Sequence, residues 1–577
     1  MSDIDAVTLA VLQHACEGIA TEMNATLVRT GYSPNIKERR DCSCALFDAQ
    51  GEMISQAETL PVHLGAMPFS VAAAIDRFPP ATLSVGDAIL LNDPFAGGAH
   101  LPDLTLVSPV FEPDQPAGPD TLLGYCANRA HHADVGGATA GSVSAETTEI
   151  YQEGIRIPPV KLYAGGAVNE AVEALLFANV RTPDERRGDL RAQQAANETG
   201  IRRLHDLAET HGVDELRSGF EAMKDYSERR MRGVIAELPD GAYSFRDRLD
   251  DDGQGNTALE IAATVTIADE SIDVDFAGTS PQTEGPVNAV FAVTASATYY
   301  AMRCLTDPDI PPNHGCYRPI SIETPSASLV DAKPPAAVVG GNLEVSQRVT
   351  DVILGAIGET LPERSIAACQ GTMNNLTIGG HDPRRDRPYA FYETEGGGMG
   401  GRASGDGVDG IQVHMTNTMN TPIEVLETAY PLRVRRYELR PDTGGAGAHR
   451  GGLGLRRDIE MCGHDATVSI LAERRIHAPY GLAGGEPGSL GEDVIINENE
   501  TVQIAGKSVH RLSDGEIISI RTPGGGGYGD PNERDPEAIR ADIRLGKLSR
   551  AVAIEQYGLE EDSEQTLDIV EESGTVE

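Results

Sequence analysis

The stretch NDPFAGGAHLPDLTLVSPVF (92–111), followed after ten residues by LLGYCANRAHHADVGG (122–137), governs the reading of this chain. Each holds an apolar run of strand length beside Gly, Pro, Asn or Asp, the pattern of a buried strand that ends in a loop. The loops carry His100 and Asp103 in the first stretch, and His131, His132 and Asp134 in the second. Upstream, DCSCALFD (41–48) repeats the arrangement, with Asp41 at its edge. Imidazole and carboxylate gathered on loops held by a rigid scaffold point to a binding or catalytic site.

Neutral imidazole nitrogen with carboxylate oxygen suits Zn, Mn, Fe or Co as the divalent ion. Three protein ligands and an open position would make such a site catalytic, because the ion can supply hydroxide near neutral pH. Spacing alone leaves the alternative open that these histidines cap loops and these aspartates bind turn amides.

Outward from this region, Val7, Val11, Ala15, Ile19, Met23 and Leu27 recur every four residues and predict a helix capped by Ser2 or Asp3. Helical period returns from Thr182 to about Leu238, with Pro183 at the first helical position. Period two over 241–278 predicts an antiparallel hairpin, and helices follow from GPVN (285–288) to Met302 and near 346–361. The last third holds EGGGMGGR (395–402), TGGAGAHRGGLG (443–454) and TPGGGGYGD (522–530) between strand-like pieces, then a helix over 535–556. Its glycines are read as positive-φ turns and close packing, and its loops as a partner surface. The fold class is therefore α+β, with several sheets and intimately packed subdomains. The divisions are 1–180 (α/β, site-bearing), 181–240 (helical), 241–390 (central α+β), 391–530 (glycine-rich, mainly β), 531–560 (C-terminal helix) and 561–577 (acidic, disordered).

With 88 Asp and Glu against 47 Lys and Arg, of which only 6 are Lys, the net charge is −41. Such a surface repels nucleic acid and anionic membranes, and its dispersed acid suggests a salt-adapted cytoplasm. Eight Cys without a CxxC pair read as reduced thiols, and neither a signal segment nor an 18-residue apolar run is found. No Walker pattern and no GxSxG elbow occurs, so a nucleotide-using reaction would need its nucleotide site on another chain. Cys42 and Cys44 are read as inert, His63, His314 and His414 as core histidines, His205 and His211 as surface ones, and Glu424 and Glu427 as possible cleft residues.

The quoted segments, with LPVHLGAMP (60–68), EGIRIPPVKL (153–162), DFAGTSPQTEGPVN (275–288), NHGCYRPI (313–320) and NTPIEVLE (420–427), resemble the B subunit of the hydantoinase/oxoprolinase family from about residue 5 to 560. The resemblance implies one component of an ATP-dependent hydrolase opening hydantoin, 5-oxoproline or lactam rings. A partner A subunit of the sugar-kinase-like ATPase type, holding ATP-Mg, would phosphorylate the amide oxygen in an A2B2 or larger assembly. It also implies Asp41, His100, Asp103 and His131 as metal ligands, with His132 and Asp134 orienting them. The alternatives are an acetone-carboxylase-like component and a non-catalytic structural one. An acidic, Pro-rich segment, EPDQPAGPDT (112–121), departs from the family pattern and is expected to form a surface loop that spares the site.

Overall fold

A computed structural model describes residues 4–57 and 59–560; the acidic 561–577 segment and the expected caps Ser2 and Asp3 lie outside them. Helix α1 (Ala6–Thr30) starts at Asp5, whose carboxylate accepts from the Val7 and Thr8 amides. Its buried face is Leu12, Cys16, Ile19, Ala20, Met23 and Leu27, while Val7 and Val11 are 73% and 48% exposed. A strict four-residue repeat overshoots the 3.6-residue turn by about 40° per step, so the stripe drifts off the core within a few turns.

A short turn, α2 (Pro34–Lys37), leads into a seven-stranded sheet made of β1 (Cys42–Asp48), β2 (Met53–Gln56), β3 (Ala88–Leu91), β4 (Asp103–Phe111), β5 (Leu122–His131), β6 (Val160–Ala164) and β7 (Ala167–Val168). The spatial order is β2-β1-β5-β4-β3-β6-β7. Strands β1, β3, β4 and β5 are buried along their whole length, which explains their nearly continuous apolar runs. Helix α3 (Pro61–Arg77) packs on this sheet, and α4 (Glu170–Ala178) follows it in sequence. The helical segment is two helices, α5 (Pro183–His211) and α6 (Val213–Ile235). Gly212, at φ 86°, breaks what the periodicity predicts as one run.

A second sheet, in the order β11-β10-β9-β8, contains β8 (Gly241–Asp251), β9 (Thr257–Ala268), β10 (Ser271–Asp275) and β11 (Ile320–Glu323). Helices α7 (Phe291–Leu305) and α8 (Ser346–Gly358) form the apolar core between the two sheets. The last third is mainly β, as expected. One sheet joins β12 (Asn375–Asp382), β13 (Arg387–Thr394), β16 (Ala466–Leu471) and β19 (Lys507–Leu512). The other joins β14 (Leu432–Leu439), β15 (Leu455–Met461), β17 (Glu492–Ile496), β18 (Thr501–Ile504) and β20 (Ile517–Arg521), with α9 (Ile423–Ala429) at the edge of β14. The described residues end in α10 (Pro536–Arg544) and α11 (Arg550–Tyr557), separated at Gly546, where the sequence predicts one helix.

In the glycine-rich segments the expected close packing is present, whereas the expected positive φ is found at Gly529 and not in the runs before it. Gly396–Gly398, Gly451, Gly452 and Gly524–Gly527 are buried and have no positive φ. They lie outside the regular strands and are bonded amide to carbonyl: Gly445 to Gly525, Gly525 to Gly452, Gly452 to Met399 and Gly401 to Gly526. A methyl group on Gly525 would overlap the Met399 carbonyl, and one on Gly527 the Ala446 carbonyl. Backbone packed on backbone is what this glycine content provides. Among the described residues, no helix is long and apolar enough to cross a membrane.

Candidate metal centre

Strand register builds the centre. Asp103 opens β4, His131 closes β5, and the two are direct cross-strand partners. On the other side of β5, Cys42 pairs with Ala130, so Asp41 sits at the same end of the sheet, and its carbonyl accepts the His131 amide at 3.0 Å. His100 lies three residues before Asp103 in the loop entering β4. Three adjacent strand ends thus bring three distant stretches together. The 112–121 insertion lies at the opposite tip of the β4–β5 hairpin and is mostly exposed, as expected.

His100 Nε2 stands 2.9 Å from Asp103 Oδ1, and His131 Nδ1 stands 3.1 Å from the same oxygen. One ligand atom from each of these three residues fits within a 4.8 Å group. Asp41 approaches this group through His63, whose Nε2 is 3.8 Å from Asp41 Oδ1 and 3.4 Å from Asp103 Oδ2. The setting is dry: His100 and Asp103 are 0% exposed, His63 1%, His131 2% and Asp41 4%.

Within this dry setting both His100 nitrogens, His131 Nε2 and Asp103 Oδ2 are buried without a hydrogen-bond partner. His100 Nε2 is near Asp103 but is not aligned as a donor. Buried polar atoms left bare cost about 1–3 kcal/mol each, a cost removed if they face a common cation. Burial alone would raise the Asp103 carboxyl, but the charges of His100 and His63, the close His100 nitrogen and the hydrogen bond with His131 hold it well below the usual carboxylate range. Burial, only partly opposed by Asp41 and Asp103, lowers His131 and keeps it neutral. A carboxylate anion beside a neutral imidazole is the donor chemistry that a divalent transition ion takes.

His132 and Asp134 point elsewhere. His132 turns toward α5, with Nε2 3.0 Å from Gln193 Oε1, and burial with the Arg186 charge lowers it to about 4. Asp134 staples its own loop by accepting from the Gly136, Gly141 and Arg181 amides and the Arg181 guanidinium. Adjacent residues leaving a strand alternate in direction, so only His131 of the HH pair faces the cluster.

Three neighbours escape the sequence reading. His63, expected to be a core histidine, joins Asp41 to Asp103; its position in the first turn of an apolar helix hides this. Tyr392 stacks on His131 with ring centroids 4.5 Å apart and donates to Asn375 Oδ1. Arg39 lies over the Tyr392 ring and donates to its carbonyl at 3.0 Å. Arg39 stands two residues upstream of Asp41 in the run ERRD (38–41), whereas nothing in the sequence marks Tyr392.

The other candidates are structural. Cys42 and Cys44 are buried thiols raised by desolvation. His205 binds the Phe111 carbonyl, His314 faces Glu52, and His414 Nε2 lies 3.3 Å from Asp351. Glu427 accepts the Val434 amide, and Glu424 is exposed at the start of α9.

Known proteins share this architecture. The hydantoinase B/oxoprolinase family model matches residues 5–531. The B component of a putative D-/L-hydantoinase from a Pseudomonas species is 33% identical, covering 97% of this chain and 96% of its own length. The 5-oxoprolinase 1 of Arabidopsis thaliana is 38% identical over 91% of this chain, which spans only 42% of that longer protein. The crystal structure of an ATP-dependent caprolactamase from Pseudomonas jessenii superposes with a TM-score of 0.90 at 31% identity, covering 98% of both chains.

Proposed function

From the premise that the chain belongs to the hydantoinase B/oxoprolinase family, we propose that it is the metal-bearing component of an ATP-dependent cyclic-amide hydrolase. The observation that carries this reading is the trio His100, Asp103 and His131, with buried nitrogens and a carboxylate oxygen left without partners. His100, Asp103 and His131 would hold a divalent transition ion, with Asp41 beside them. Such an ion supplies Lewis acidity and a hydroxide equivalent near neutral pH.

The residues of this chain then do the rest. Asp103 provides the anion and, across the strand pair, fixes the His131 ring by accepting at Nδ1. Tyr392 holds the other face of that ring. His63 spans the two carboxylates and offsets their mutual repulsion. Burial excludes bulk water, so an activated ring would meet one delivered nucleophile rather than solvent. An unstrained amide is a poor electrophile, so activation by phosphorylation is assigned to an ATPase-type partner in an A2B2 or larger assembly.

The test is to purify this chain with its ATPase-type partner and follow ATP-dependent opening of hydantoin, 5-oxoproline and caprolactam. Asp103→Asn should abolish ring opening while leaving the complex assembled. Hydrolysis at wild-type rate by that variant, or ATP- and bicarbonate-dependent carboxylation in place of hydrolysis, would overturn the proposal.

A further inference from the structure

The Tyr392 ring that covers one face of His131 is itself the end of a longer chain of contacts. Asn375 opens β12 and pairs with Thr394, while Tyr392, two residues back along β13, pairs with Thr377. Residues diagonal across an antiparallel pair share a face and reach each other when one side chain is long. The Tyr392 hydroxyl thus donates to Asn375 Oδ1 at 3.0 Å. Asn375 Nδ2 donates in turn to Glu344 Oε1 and to the Leu471 carbonyl, both at 2.8 Å. Glu344 Oε1 also accepts the Met373 amide at 3.1 Å. Glu344, Asn375 and Tyr392 are all buried.

Glu344 is delivered by unusual backbone. It lies in a single π-helical turn, Gly341–Val345, that runs directly into α8, with the Ser346 amide reaching back to the Gly341 carbonyl. Such turns are rare and recur at functional sites. This one is pressed against the 285–288 segment, where a methyl group on Gly341 would overlap the Asn288 carbonyl. Burial, with the charge of Glu473 adding to it, pushes the Glu344 carboxyl up to about 7, so near neutral pH an amide is a close chemical match for it.

The direction of the chain follows from its donors. Two acceptors hold the Asn375 Nδ2 group, which leaves Oδ1 to receive the tyrosine hydroxyl. Ring stacking sets how far Tyr392 stands from His131, whereas the anchored hydroxyl sets where along that face it stands. A second arm holds the backbone: Asn35 Nδ2 donates to the His131 carbonyl at 2.5 Å, and Arg39 donates to Asn35 Oδ1 and to the Tyr392 carbonyl.

We propose that Glu344 is a positioning residue for the metal centre, fixing the place of the His131 ring through Asn375 and Tyr392. This rests on the reading of His100, Asp103 and His131 as a metal site, and it extends that site to a residue of the central region.

The test is titration of the metal-free full chain with Co²⁺ against a competing chelator, with the visible spectrum of bound Co²⁺ as a second readout. Groups that orient metal ligands are worth about tenfold or more in metal affinity, so Glu344→Leu should bind Co²⁺ about tenfold or more weakly and shift its visible bands. Glu344→Gln keeps the acceptor oxygen and should restore both. Tyr392→Phe keeps the stacked ring, removes the hydroxyl and should weaken Co²⁺ binding to a similar degree. Adding Glu344→Leu to Tyr392→Phe should then cost little more, because one chain is cut twice, whereas general damage to packing would add. Should Glu344→Leu fail to fold, Tyr392→Phe tests the same chain from its other end. Wild-type affinity and spectrum in either single variant, additive losses in the double variant, or no rescue by Glu344→Gln would overturn the inference. Tight Co²⁺ binding that none of these variants changes leaves the metal centre standing and removes the role of Glu344; a wild type that takes up no Co²⁺ removes both.

Discussion

Glu153 offers a test of how this fold carries buried charge. Its side chain is 1% exposed, and Oε1 accepts from the Val338 and Val339 amides at 2.9 and 3.0 Å, tying the first sheet's loop to the central region. Oε2 has no partner. Burial outweighs these hydrogen bonds and pushes the carboxyl up to about 8. The unfolded value is about 4.3, so the native state keeps a proton that the unfolded chain releases above that pH. The contribution is therefore complete below about pH 4 and is lost as pH rises to about 8, at about 1.36 kcal/mol per unit, or about 3–5 kcal/mol in all. Glu153→Gln keeps the acceptor oxygen and removes the titration. At an unfolding entropy of about 2.1 cal/mol/K per residue, a chain of this length converts that energy to about 3–4 °C. Thermal melts of both proteins should coincide at about pH 5, with the variant higher by about 3 °C at about pH 8.5. A gap that is constant across pH, or a variant that is less stable on the alkaline side, would refute the reasoning, because other titrating groups are common to both chains.

Three further outcomes are expected. His100→Ala, Asp103→Asn and His131→Ala should each lose bound divalent metal in elemental analysis, and chelator should lower the melting temperature of the wild type but not of these variants; metal retained by all three would remove the site. Gly525→Ala should cost about 3 kcal/mol or more, read as lost soluble yield and a lowered melting temperature, because the new methyl overlaps the Met399 carbonyl. Arg474→Met removes the buried guanidinium that holds Asp247 and Asp351 at 2.8 and 2.7 Å, leaves them to Arg348 and His414, and should cost about 3 kcal/mol in urea unfolding; an unchanged midpoint would show that those remaining partners suffice.

The elements with strong local signals are legible in the sequence: the buried strands around residues 103–111 and 122–131, the helices near 183 and 346, and the β-rich last third. What sequence does not supply is register. The motifs single out Asp103 and His131, but only the pairing of β4 with β5 makes them face each other, and that depends on the whole sheet. His63 is hidden because one imidazole among apolar helix residues reads the same whether it faces packing or a carboxylate. The α1 stripe misleads at Val7 because a repeat of four is not the period of a helix. Gly212 and Gly546 look ordinary in sequence, although each ends a helix. The glycine-rich segments suggest both turn geometry and close packing, because glycine permits either, and the fold relies mainly on the missing side chain.

That glycine core has a consequence for how the chain finds its alignment. Neighbouring strands normally recognise each other through side chains that fit in only one offset. Segments such as 396–398 and 524–527 present nearly identical backbone at successive offsets, so sliding by a residue sacrifices little within the bundle itself. The alignment is instead imposed from outside by charged pins: Arg450 reaching Asp409 and Asp542, and Arg534 reaching Asp406 and Asp542. The last helices thus act as a clasp, supplying from the far end of the polypeptide the positional information that a side-chain-free interior lacks.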